Sequence, residues 1–309
     1  MNIHSLIYKV TGRMTKTQVV RTAENIGYDL LSKAQKNGDV FVEDIREVLE
    51  SRIGKKAASR ITITDNLKTF KSFLSKHLGL SDDLSEMYFY DSKAAAVPGG
   101  NSNKFLFKIN MQNFDNLAEK LNTITHECEH LLFKGVSFRA YFERLYMKIK
   151  GKKWLNKYVE KFAELVNKKN LSLQLNLLGV SQVGGCALGG FTKFKKGING
   201  LLKQSEFQSR AQLHDFLRTN IRRDILLPQG DKRNLTLIKS LIGILKDESR
   251  AYRAGGRVEA KLLPNSDKIT NSEMLAQLYD ETIKVLTKEK NLERKNRIRN
   301  FFGLARKEA

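Results

Sequence analysis

Apolar residues recur at intervals of three and four over most of this chain, and that period restricts the fold to one built mainly from helices. Val19, Ala23, Ile26, Leu30 and Ala34 hold the spacing up to Asn37-Gly38, and Ile45, Val48, Leu49 and Ile53 hold it up to Gly54. A glycine directly after the last periodic residue is a helix stop. A third helix, opened by Thr64 or Asp65, carries Leu67, Phe70, Leu74 and Leu78. With 41% hydrophobic residues and 3 prolines in 309, the chain belongs with folded proteins rather than disordered or Pro-rich ones. Its length suits one large domain or two modest ones.

The period shortens after residue 85. Residues 86–91 and 104–110 are aromatic and β-branched, with Phe105, Phe107 and Ile109 alternating against polar neighbours, and Val97-Pro98-Gly99-Gly100-Asn101 between them is a turn signal. These features predict a β-hairpin or small antiparallel sheet. The helical period returns with Phe114, Leu117, Leu121, Ile124, Cys128 and Leu131 or Leu132 on one stripe and Asn113 as N-cap. Further helices are predicted over 137–149, 153–166, 206–226, 235–253 and 272–302, with Gly255-Gly256 ending the fourth. The expectation is a predominantly helical α+β protein. It comprises an N-terminal helical subdomain (1–84), a core (85–260) carrying a basic and Gly-rich insertion (134–200), and a C-terminal basic helix (261–309).

Two cysteines, Cys128 and Cys186, make no disulfide framework, which suits a reducing compartment. The first twenty residues lack the apolar run and cleavage pattern of a signal peptide, so a cytoplasmic location is expected. Residues 171–192 carry no charge, but Gln174, Asn176, Gln182 and five glycines interrupt them. That pattern reads as a flexible apolar loop or interfacial segment rather than a membrane span. The net charge is +22, of which +8 falls in 134–170 and +5 in 281–309. Such an excess attracts nucleic acid, anionic membranes or acidic proteins. Tyr141, Tyr146, Trp154 and Tyr158 interleave with the first basic run, so binding to a nucleic acid or other anionic surface is one functional class to weigh.

Residues 125–132 read Thr-His-Glu-Cys-Glu-His-Leu-Leu. On a helix, His126 and His130 lie one turn apart on one face, where they can share a tetrahedral Zn2+. Glu127 is placed to act on a metal-bound water rather than on the metal, as a general base. A chain of this composition produces the pattern by accident with a probability of roughly half a percent, so context decides. Two of five histidines fall in this single turn, the helix is amphipathic, and its polar residues gather opposite Phe114 and Leu121.

Zinc needs a third protein ligand, and no nearby histidine follows His130. The helix over 235–253 repeats Leu237, Leu241, Ile244, Leu245 and Ala251, and Glu248 falls on that stripe, where a carboxylate requires a cation. Both a metal and a salt bridge to Arg or Lys satisfy it. Asp247, Glu259 and His214 are weaker candidates. Tyr252, one turn after Glu248, is placed to hydrogen-bond a ligand or a tetrahedral oxyanion, or simply to pack. Cys128 reads as packing, Glu129 as solvated or supporting a ligand, and His4 and His77 as poor ligands.

Ala94-Ala-Ala-Val-Pro-Gly-Gly, the strand at 105–109, the helix with H-E-C-E-H and the later E-S-R-A-Y-R-A-G together resemble zincin metallopeptidases of the gluzincin type. The resemblance covers about residues 85–256. It implies a zincin-like core acting on a peptide or protein substrate, with His126, His130 and Glu248 as zinc ligands and Glu127 as base. It also implies an edge strand, formed by Phe105, Phe107 and Ile109, along which the substrate lies. Such enzymes often carry Asp four residues after the glutamate, to orient a ligand histidine; here that position is Tyr252.

Overall fold

The computed structural model describes residues 13–78, 81–91, 93–99, 104–137, 209, 211–213, 215–216, 235–262 and 269–301. The basic helices at 137–149 and 153–166 with their four aromatic residues, the segment 171–192, His4, Cys186 and His214 lie outside them, apart from Ser137. Among the described residues no helix is long and apolar enough to cross a membrane.

Among the described residues the protein is mostly helical with one small mixed sheet, an α+β fold. Its elements in order are α1 (Lys16–Asn37), α2 (Val42–Ile53), α3 (Lys55–Ala58), β1 (Ile61–Thr64), α4 (Leu67–Leu78), α5 (Asp82–Asp91), β2 (Ala94–Pro98), β3 (Phe105–Ile109), α6 (Leu117–Val136), α7 (Leu235–Ala260) and α8 (Asn271–Phe301). They fall into two compact units, one of residues 1–158 with 250–272 and one of 159–249 with 273–309. The division cuts α7 between Ser249 and Arg250, where the helix is unbroken.

In the first unit, local chemistry sets the helix ends. Thr15 and Gln18 form a reciprocal capping box on α1: the Gln18 N–H donates to Thr15 Oγ1 at 3.3 Å and the Thr15 N–H to Gln18 Oε1 at 2.8 Å. Gly38 and Gly54 take positive φ of 80° and 83° after α1 and α2, the glycine stops that the sequence announces, the first in the left-handed helical conformation. Asn66, rather than Thr64 or Asp65, caps α4 by accepting from the Thr69 N–H at 3.1 Å. Asn116, rather than Asn113, caps α6 by accepting from the Glu119 N–H at 2.9 Å. The periodic residues of α1, α2 and α6 close over one core with Phe105, Phe107, Ile109, Ala254 and Val258.

The sheet departs from the predicted hairpin. Residues 86–91 are not a strand but belong to α5, whose first turn carries Asp82 and Asp83 at the positive end of the helix dipole. Its Phe89 packs edge-on against Phe70 of α4, ring centroids 5.3 Å apart, and Glu86 pairs with Lys71 at 2.6 Å. The strand antiparallel to β3 is instead β2, which includes part of the expected turn and runs from Ala94↔Ile109 to Pro98↔Phe105. On its other side β3 pairs in parallel with β1, from Ile61↔Phe105 to Thr64↔Lys108, a strand too short for periodicity to announce. The order is β1-β3-β2, so β3 is the middle strand and β2 an edge.

In the second unit, the Ser249 hydroxyl of α7 donates to Asp280 Oδ1 of α8 at 2.7 Å, and Leu245, Ala276, Leu278, Tyr279 and Leu286 are buried. The outer face of α8 exposes Lys284, Lys288, Arg294, Lys295 and Arg299.

Candidate metal centre

Helix α6 carries the motif because its apolar stripe, Leu121, Ile124, Cys128, Leu131 and Leu132, anchors one face in the core and leaves the next face to the histidines. His126 and His130 are buried, and their Nε2 atoms are 3.1 Å apart. Two nitrogens each about 2.05 Å from a tetrahedral zinc stand roughly 3.3 Å apart, so the spacing fits a shared ion. Glu248 of α7 completes the group, and one ligand atom from each of His126, His130 and Glu248 lies within 4.8 Å of the other two. Among the described residues this grouping takes Glu248 and neither Asp247 nor Glu259. Glu259 lies three turns further along α7, where Asn122 Nδ2 donates to its carboxylate at 2.5 Å. Burial raises its pKa against the hydrogen bonds from Ser272 and Asn122.

The position of Glu248 follows from the turn of α7 it shares with Arg250 and Tyr252. The Tyr252 ring lies against His126 at 4.4 Å between centroids, tilted by 65°. Gly255-Gly256 does not end this helix, which continues to Ala260. A Cβ on Gly255 would lie 2.2 Å from Asn122 Oδ1 and 2.7 Å from the Asn122 carbonyl oxygen, so the missing side chain is what lets α7 approach α6. Gly27 does the same for α1, whose backbone there meets Thr125 and Val258.

Glu127 is half-buried, and its Oε2 accepts the Ala96 backbone N–H at 2.8 Å. That bond identifies which edge faces the site. Asn110 N–H donates to the Lys93 carbonyl and Gly99 N–H to the Lys104 carbonyl, so by alternation residues 95 and 97 bond to β3 while Ala94, Ala96 and Pro98 turn their backbone outward. Pro98, which has no N–H, therefore breaks no ladder bond.

The assignment of Phe105, Phe107 and Ile109 to a substrate-facing edge does not hold. Their strand is paired on both sides, and all three side chains are buried in the core beneath α6. Alternation in a middle strand distinguishes two covered faces, not a covered face from an open one. On the opposite face, Lys108 is fully buried; its Nζ donates to the Phe89 carbonyl at 2.5 Å and stands 4.7 Å from the Phe89 ring centre. Burial lowers its pKa to about 8, against the attraction of Glu127.

Nothing in the sequence marks Arg250, and of the two readings open for Glu129, solvated or supporting a ligand, burial removes the first. Glu129 is fully buried and ion-paired with the Arg250 guanidinium, which also lies 3.8 Å from the Phe133 ring centre. Glu129 Oε2 is 3.7 Å from His130 Nδ1. Cys128 is buried, as its place on the stripe predicts, and burial pushes its thiol pKa upward, away from the reactive thiolate. His77 packs against Phe73, ring centroids 4.5 Å apart and tilted by 50°.

Comparisons with protein-family models, with curated proteins and with solved structures find no match to this chain.

Proposed function

We propose that this protein is a zinc-dependent peptidase with a zincin-like centre. The observation that carries the reading is the convergence of His126, His130 and Glu248 from two helices, with Glu127 beside them on α6 and hydrogen-bonded to the edge strand β2. Two neutral imidazoles and one carboxylate are a donor set of catalytic zinc sites, which keep one position for water. Bound there, zinc supplies a Lewis acid that brings a water into its ionising range near neutral pH and polarises a carbonyl.

The chain's own residues supply the rest. Glu127 takes the proton of the attacking water and delivers it to the leaving amine. Its hydrogen bond from Ala96 aims the carboxylate and ties it to β2. An extended peptide pairs with the outward carbonyl and N–H groups of Ala94 and the carbonyls of Ala96 and Pro98, so β2, not β3, is the substrate strand in this reading. Tyr252 restrains the His126 ring by packing on it, and its hydroxyl serves the oxyanion that forms on the substrate.

Zinc per chain, measured by elemental mass spectrometry on wild type and on Glu248→Ala purified without metal-binding tags, tests this reading. One zinc in the wild type and a reduced content in the variant are expected. Absence of zinc from the wild type after reconstitution refutes it.

Binding to an anionic surface is a second reading, favoured by the row of exposed Lys288, Arg294, Lys295 and Arg299 on α8. It predicts nucleic-acid binding that weakens steeply with salt and survives loss of both motif histidines. No binding at low salt removes it.

A further inference from the structure

The strongest unassigned feature is the ion pair between Glu129 and Arg250, residues 121 positions apart, each within two positions of proposed ligands. Glu129 follows Glu127 and precedes His130 on α6; Arg250 lies between Glu248 and Tyr252 on α7. The carboxylate is completely buried and the guanidinium nearly so, and the guanidinium is stacked on Phe133, one turn beyond Glu129 on the same helix. A buried pair of this kind contributes little net stability compared with apolar side chains of the same volume, because desolvation offsets the attraction. Its geometry, by contrast, is specific: a planar guanidinium held between a carboxylate and a ring fixes both the rotation and the height of the helix that carries it.

We infer that Glu129 and Arg250 are positioning residues of the metal centre, pinning the turn of α7 that presents Glu248 to the pair His126 and His130. This inference rests on the zinc reading. Three contacts on the same two turns support it. Tyr252, two residues after Arg250, meets the His126 ring, so the pinned turn of α7 also touches a ligand ring of α6. Glu129 Oε2 stands 3.7 Å from His130 Nδ1, which places negative charge behind the ring whose Nε2 faces the site. Gly255, seven residues after Glu248 and thus on the same face of α7, meets Asn122 with no side chain to keep the helices apart. The pin and the glycine together leave α7 one register against α6.

Stability and positioning separate in a double variant. Arg250→Met alone strands a buried carboxylate and is expected to destabilise the protein. Glu129→Met/Arg250→Met replaces the pair by apolar side chains and is expected to recover or exceed wild-type stability, yet to bind zinc about 10- to 100-fold more weakly in competition with a chelator, as losses of groups supporting metal ligands do. Glu129→Gln, which preserves shape and removes charge, is read by cobalt substitution: the intense visible bands of a tetrahedral cobalt centre are expected to weaken or shift. Wild-type zinc affinity in the double variant, or an unchanged cobalt spectrum in Glu129→Gln should the double variant not fold, overturns the inference while leaving the zinc reading intact. Failure of the wild type to bind either metal overturns both.

Discussion

Gly255→Ala tests how closely α6 and α7 must approach. Its Cβ would stand 2.2 Å from the Asn122 side-chain oxygen and 2.7 Å from the Asn122 carbonyl oxygen, whereas an ordinary carbon–oxygen contact is about 3.3 Å. The amide can swing aside, breaking its donation to Glu259 and Ser272. The carbonyl belongs to the backbone of α6 and cannot, so the helices must separate by about half an ångström. Overpacking of this kind costs about 1–3 kcal/mol, and each lost hydrogen bond adds about 1 kcal/mol. Replacing a mid-helix glycine by alanine returns about 1 kcal/mol of helix propensity. The net expectation is destabilisation of about 3 kcal/mol. Gly243 is the internal control: it lies in the same helix, a Cβ there meets nothing within 4 Å, and Gly243→Ala is expected to stabilise by up to about 1 kcal/mol. Urea unfolding of the two variants measures the difference, and chelator competition reports whether Gly255→Ala also weakens zinc. Equal stability of Gly255→Ala and wild type, with unchanged zinc affinity, would refute the close-approach argument.

Glu127→Gln is expected to retain zinc and lose peptide hydrolysis by about 10²- to 10⁴-fold; full activity in the metal-loaded variant would remove Glu127 as the base. Phe107→Ala is expected to cost about 3–5 kcal/mol of stability, because the ring is fully buried beneath α6, and a changed KM with unaltered stability would instead restore it to the substrate site. Lys108 loses its proton near pH 8 when folded and above 10 when unfolded. Between those values the unfolded chain holds more protons, so folding stability rises as pH increases from about 8 to 10.5. In Lys108→Met that rise is expected to flatten and stability at pH 7 to increase, both readable from denaturation midpoints across pH.

The sequence by itself determined what depends on neighbours within a turn or two. The faces of α1, α2, α4 and α6 follow from apolar spacing, Gly38 and Gly54 stop their helices at the stated residues, and the i, i+4 spacing brings His126 and His130 together because a helix has 3.6 residues per turn. Glu248 was legible for a related reason, as a carboxylate interrupting an apolar stripe. What only the tertiary structure decided depends on partners far away in the chain. The aromatic run at 86–91 joins a helix because Phe89 finds Phe70, and three alanines form an edge strand because β3 offers a ladder. Gly255 lies inside a helix rather than ending it, and serves there because Asn122 occupies the space a side chain would need. The sequence leaves Glu129 either solvated or supporting a ligand; it is buried because Arg250, more than a hundred residues later, supplies its counter-charge. Periodicity within a helix is local information; the pairing of strands, charges and close-packed backbones is set only when the chain folds back on itself.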